Sequence, residues 1–161
     1  MRFHHQVRYD APVAAVRAML ADPAFREASA EAQGVVSADV GITTDGERMS
    51  VVIDQVQPTA GVPGFARKFA GETTRAVQTE EWTSTTDATI RIETPGKPTS
   101  ITGSLTLRPD GSGTVETMEA EIKVKVPLIG GRLEALMGDL VAQGMDREHE
   151  AGVDWLGKDH G

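Results

Sequence analysis

The chain contains no cysteine and no asparagine. Without cysteine there is no disulfide, no thiolate metal ligand and no thiol nucleophile. Without asparagine there is no N-glycosylation acceptor. Both absences suit a reducing cytoplasm, which is the expected location. Aromatic residues make up only 4% of the chain, so the core must be packed from Val, Ile, Leu, Ala and Met. No apolar run approaches the roughly 20 residues that span a bilayer. The opening MRFHHQVRYD lacks the apolar stretch of a signal peptide. Basic residues number 16 against 24 acidic ones, for a formal net charge of -8. They are scattered, and Lys123 with Lys125 is only a pair. A nucleic-acid binder needs a basic face, and a polybasic anchor needs a cluster. Neither nucleic acid nor a stable membrane anchor is therefore expected as a partner, and protein partners are left open.

The 161 residues fit one domain spanning the whole chain, with no internal repeat. Phe3, His5, Val7 and Tyr9 alternate with Arg2, His4, Gln6 and Arg8, the pattern of a half-buried strand. Asp10 offers a helix cap with Pro12 in the first turn, and Asp22-Pro23 repeats the signal, so two short helices follow. Asp45-Gly46 and Asp110-Gly111 mark hairpin turns. Phe65 and Phe69, four apart, suggest one helical turn or a compact loop. Met118, Ala120, Ile122, Val124 and Val126 face one way on the last strand, and Glu119, Glu121, Lys123 and Lys125 the other. One face of the sheet is thus wet and one covered. After Pro127 and the joint Gly130-Gly131, residues 131–156 carry an apolar stripe at helical spacing. Such a helix is about 39 Å long, enough to lie along the whole sheet. The reading is α+β: seven antiparallel strands, curved around a long C-terminal helix, with two short helices after strand 1.

This order resembles the START-like superfamily, also called the SRPBCC or helix-grip fold. YDAPVAAVRAMLADPAFRE (residues 9–27) and VPLIGGRLEALMGDLV (residues 126–141) carry the resemblance. That group includes polyketide cyclases and aromatases, lipid-transfer domains and the birch-pollen-allergen class. The chain is most similar to a bacterial branch without an assigned reaction. The resemblance implies a cavity between the curved sheet and the C-terminal helix. Alternation nominates the sheet wall: Val36, Val40, Val51, Ile53, Ile90, Ile92, Leu105, Met118 and Ile122. Helical spacing nominates Leu136, Met137, Leu140 and Gly144, with Phe65 and Phe69 capping one end. Each is equally readable as ordinary core, and Gly103 and Gly144 either leave space or permit close packing.

Chemistry is sparse. His4 and His5 point to opposite faces of their strand, so a histidine metal site is not expected. No phosphate loop, zinc-protease signature or nucleophile elbow is present, so no residue receives a catalytic role and no cofactor is expected. Possible polar cavity groups are His5, Tyr9, Glu81 and Arg147. Glu80 and Glu81 alternate, so one of them points inward; Glu148 flanks the helix stripe; Glu116 is in inward register but expected to be solvated. The expected function is binding or transport of an apolar small molecule: a lipid, an isoprenoid or a polyketide-like compound. A cyclase, aromatase or dehydratase working in the same cavity is one alternative, and an interaction domain with a filled core is another.

Overall fold

The alternation in residues 2–9 builds β1 (Arg2–Tyr9), with Val7 and Tyr9 buried and Arg2, His4, Gln6 and Arg8 in water. The structure, a computed structural model, describes residues 1–59, 62–71 and 73–158, without the side chains of 69 and 70. Helices α1 (Val13–Leu20) and α2 (Pro23–Ala32) follow. Asp22 caps α2 as its sequence predicts, accepting from the Ala24 amide at 2.9 Å. Asp10 does not cap α1; its carboxylate engages Arg8 on the strand it follows, and α1 starts at Pro12 without a side-chain cap.

The remaining strands are joined mostly by short hairpin turns. They are β2 (Ser37–Asp45), β3 (Arg48–Pro58), β4 (Thr73–Trp82), β5 (Asp87–Glu93), β6 (Thr99–Asp110) and β7 (Gly113–Val124). Only β3 and β4 are separated by a helix, α3 (Gly64–Ala70), which carries the expected Phe65. Phe69 lies in the same helix, but its side chain is outside the described residues. All pairings are antiparallel, in the order β1-β7-β6-β5-β4-β3-β2. At Gly103 β6 presses against β7: a Cβ there would stand 2.0 Å from the Glu119 carbonyl oxygen. Only glycine lets the two strands approach this closely.

The long helix α4 (Gly130–Leu156) lies on the concave face. It packs on β1, β7, α1 and α2. Gly130 and Gly131 are not a loose joint: both belong to its first turn, and Gly130 sits against the Val124 carbonyl. Trp82, Tyr9, Phe25, Leu20, Met49 and Leu107 are the largest fully buried side chains of the main core. A smaller cluster of Ala66, Val124 and Leu133 joins α3, β7 and α4. A curved seven-stranded antiparallel sheet holding one long helix is the helix-grip fold. Among the described residues no helix is long and apolar enough to cross a membrane.

Candidate functional site

On α2, Phe25, Arg26, Ser29 and Ala30 form one buried face. Burying Phe25 and Ala30 turns Ser29 and Arg26 inward as well, because each lies four positions from one of them and positions four apart share a helix side. On β4, Trp82 and Ala76 face the core, and Glu80 and Gln78 share their parity. The two elements meet in a buried ion pair. Arg26 Nη1 and Nη2 donate to the two Glu80 oxygens at 3.0 and 2.8 Å, and its Nε donates to the Leu20 carbonyl at 2.8 Å. Glu80 also accepts from Gln78 Nε2 at 2.7 Å and Trp82 Nε1 at 2.9 Å. The side chains are 2% and 1% exposed. Burial alone would raise the Glu80 pKa, but Arg26 and the added hydrogen bonds hold it below the usual carboxylate range. Burial likewise opposes the Arg26 charge, and Glu80, Glu148 and Glu116 outweigh it.

Beside this pair, Ser29 Oγ donates to Glu148 of α4 at 2.6 Å, and Gln33 Nε2 donates to Ser29 Oγ at 2.9 Å. Between them lies a void of about 20 Å³, bordered by Arg26, Ser29, Gln33, Gln55, Gln78 and Glu148 with Ala30 and Ile53. That is room for about one water molecule. From β7, Glu116 enters the same neighbourhood. Burial, then repulsion from Glu148 and Glu80, pushes its carboxyl up to about 8, with Arg26 opposing. At neutral pH it is mostly a protonated donor. Tyr9 stands two residues off in register, since Val7 pairs with Glu116 and Tyr9 with Thr114. Its hydroxyl is buried with no partner among the described residues. Burial, reinforced by Glu116 and Glu148, keeps that hydroxyl from ionising. Gly152 of α4 makes room for the ring: a Cβ there would lie 2.6 Å from Tyr9 Cε1.

The nominated wall residues divide by depth. Val51, Ile53, Ile90, Leu105, Met118 and Ile122 are buried on the concave face. Val40, Ile92, Leu136, Met137 and Gly144 are half-buried there, and so is Phe65, under the Arg132 guanidinium at 4.1 Å. Val36 is 62% exposed: it precedes β2, the outermost strand, and no described element covers it. Leu140 is 44% exposed, so it forms rim and not wall.

Of the four nominated polar groups, only Tyr9 joins the cluster. Glu81 points outward and accepts from Ser50 Oγ at 2.6 Å, because Trp82 commits the even-numbered residues of β4 to the core. Arg147 is exposed on the outer side of α4. His5 is half-buried at the edge strand, with Nε2 2.7 Å from Asp146 Oδ1. Glu116 is buried and not solvated, since Val7 and Leu107 flank it on the neighbouring strands. Sequence reasoning passed over Arg26 and Ser29, although Phe25 and Ala30 marked their side of the helix. A second, open groove of about 550 Å³ crosses the edge of the sheet at β1, β7 and β6, with Arg2, His4, Thr102, Ser104, Glu119 and Glu121 among its lining. Among the described residues, no three His, Asp or Glu are grouped to hold a metal ion.

Solved structures share this fold. TTHA0849 from Thermus thermophilus superposes with a TM-score of 0.66 at 18% identity, covering 97% of each chain. A START superfamily protein from Mycobacterium smegmatis gives 0.65 at 14% identity, covering 96% of this chain and 98% of that one. The di-domain ARO/CYC StfQ from the steffimycin biosynthetic pathway gives 0.56 at 13% identity, covering 98% of this chain and 52% of that one. No curated protein matches the sequence. Residues 4–156 match the family described as "Protein of unknown function (DUF2505)". The chain belongs to that family and carries the START-like helix-grip fold.

Proposed function

We propose that the protein binds a small molecule with an apolar body and one hydrogen-bonding end, between the sheet and α4. The observation that carries this reading is the buried cluster of Arg26, Glu80, Glu148, Glu116 and Tyr9. Stability alone does not call for it, because buried ion pairs are commonly replaceable by apolar side chains with no loss. Ionisable groups displaced by burial and by one another gather at functional sites. Two donors remain for a ligand: the unpartnered Tyr9 hydroxyl and the protonated Glu116 carboxyl. The half-buried Val40, Ile92, Leu136 and Met137 supply apolar surface for the rest of the molecule. START-like proteins, by the resemblance, work with such an arrangement. The void of about 20 Å³ admits only a water, so a ligand enters by displacing α4.

The test begins with protein purified from its native host, extracted with organic solvent and analysed by mass spectrometry. The expected result is one co-purifying apolar compound. Tyr9→Phe is then expected to fold with equal or greater stability, since it removes a buried hydroxyl without a partner. It is expected to bind the extracted compound about tenfold more weakly, as the loss of one buried hydrogen bond predicts. Leu140→Trp, at the exposed rim, is expected to block entry and leave the fold intact. No compound in the extract, together with no binding of apolar fluorescent probes, would sink the reading in favour of an interaction domain with a filled core. A second reading follows from Glu116 alone. A carboxyl held protonated at neutral pH is a general acid in waiting, so chemical conversion of the extracted compound by wild type but not by Glu116→Gln would make the protein an enzyme.

A further inference from the structure

Five described cations, far apart in the sequence, gather in space. Because the strands are antiparallel, one end of the molecule gathers α3, the β5–β6 turn, the end of β7 and the first turn of α4. The Lys125 amide donates to the Pro98 carbonyl at 2.9 Å, which ties two of these pieces together. Arg67, Lys68, Lys123, Lys125 and Arg132 all lie here, and all are exposed. Among the described residues, the carboxylates at this end are engaged. Glu93 is 3.3 Å from Arg91, Glu121 is 3.2 Å from the Met1 ammonium, and Glu134 accepts from the Val124 amide at 3.1 Å and lies 3.3 Å from that ammonium. Asp10, Asp45, Glu47, Asp110 and Asp154 lie at the opposite end. A net charge of -8 therefore conceals a molecule with one basic pole.

Leu128 projects from that pole, between β7 and α4. Its exposure is 104%, and its backbone stands at φ 70. The left-handed region is unfavourable for leucine, and a side chain wholly in water returns nothing to the fold. Beside it Val62, Phe65, Val126 and Ile129 are only partly buried.

We propose that this pole docks reversibly on an anionic lipid surface, with Leu128 entering the interface and the surrounding cations facing the headgroups. An apolar tip ringed by Lys and Arg is the pattern that combines apolar insertion with attraction to acidic lipid. A nucleic acid or an acidic polypeptide matches the charge but leaves Leu128 without an apolar layer. The docking is separate from the ligand reading and is measured without any ligand.

The test is co-sedimentation of the full chain with vesicles of equimolar phosphatidylglycerol and phosphatidylcholine, beside vesicles of phosphatidylcholine alone. Binding is expected to the first and not the second, and to weaken in high salt. Lys123→Gln with Lys125→Gln is expected to weaken it about tenfold. Leu128→Gly suits the positive φ, so it keeps the fold, and it is expected to weaken binding about as much. Absence of binding to the acidic vesicles overturns the proposal, and so does binding that Leu128→Gly leaves unchanged. Capture on heparin or polyglutamate that exceeds vesicle binding overturns it in favour of a polyelectrolyte or protein partner.

Discussion

Arg26 and Glu80 are 54 positions apart in the chain and meet through three buried groups of contacts: two direct bonds, the Leu20 carbonyl, and the Gln78 and Trp82 donors. Removing one partner leaves the other charged and dry. Arg26→Met is therefore expected to destabilise by about 3–5 kcal/mol. Arg26→Met with Glu80→Leu is expected to recover most of that loss, since no charge is then stranded. Denaturant unfolding of the two variants decides it, and a single-variant loss below about 1 kcal/mol would mean that water reaches the pair. At this scale the sequence was half legible. Alternation said that one of Glu80 and Glu81 points inward, and Trp82, two residues from Glu80, held the information on which. What alternation could not supply was Arg26, because its role depends on how α2 docks over β4.

At the scale of elements, α4 was nearly fully legible: residues 131–156 were expected and Gly130–Leu156 is observed. Its periodicity is intrinsic to the chain, whereas the meaning of its glycines is not. Gly144, read from the stripe as a possible source of cavity volume, faces only the end of the Gln33 side chain, 2.9 Å from where a Cβ would sit. That atom is on a flexible side chain and can move. Gly144→Ala is thus expected to be neutral or to stabilise by up to about 1 kcal/mol through helix propensity. Gly152 faces the rigid Tyr9 ring, with a Cβ 2.6 Å from Cε1 and 3.0 Å from the hydroxyl oxygen. Gly152→Ala is expected to destabilise by about 1–3 kcal/mol despite the same gain in propensity. Thermal unfolding of the pair separates packing from propensity, because the helix and the substitution are the same. Equal effects at both positions would mean that Tyr9 is not fixed against the helix.

For the whole molecule, the run of antiparallel strands could be read because most consecutive strands are joined by short turns, whereas the pairing of β1 with β7 has no such local signal. The polar interior could not, because it exists only where α2, α4, β1, β4 and β7 converge. That convergence makes a prediction for stability against pH. Glu116 titrates near 4.5 when unfolded and at about 8 in the folded protein. Between those values the folded state holds a proton that the unfolded state has released. Its contribution is complete below about pH 4.5 and is lost as pH rises through about 8. The slope is at most about 1.4 kcal/mol per pH unit for one proton. Glu80, whose pKa is depressed, contributes in the opposite sense, but only as pH falls below the ordinary carboxylate range, so it is silent in this window. Unfolding free energy measured from about pH 5 to about 8.5 is therefore expected to fall for the wild type. Glu116→Gln keeps the neutral shape and cannot ionise, so its profile is expected to be flatter, with its advantage over the wild type growing from about pH 4.5 and complete near about 8. Parallel profiles for the two proteins would mean that Glu116 is hydrated and charged in the fold, and the donor assigned to the ligand's polar end would then be Tyr9 alone.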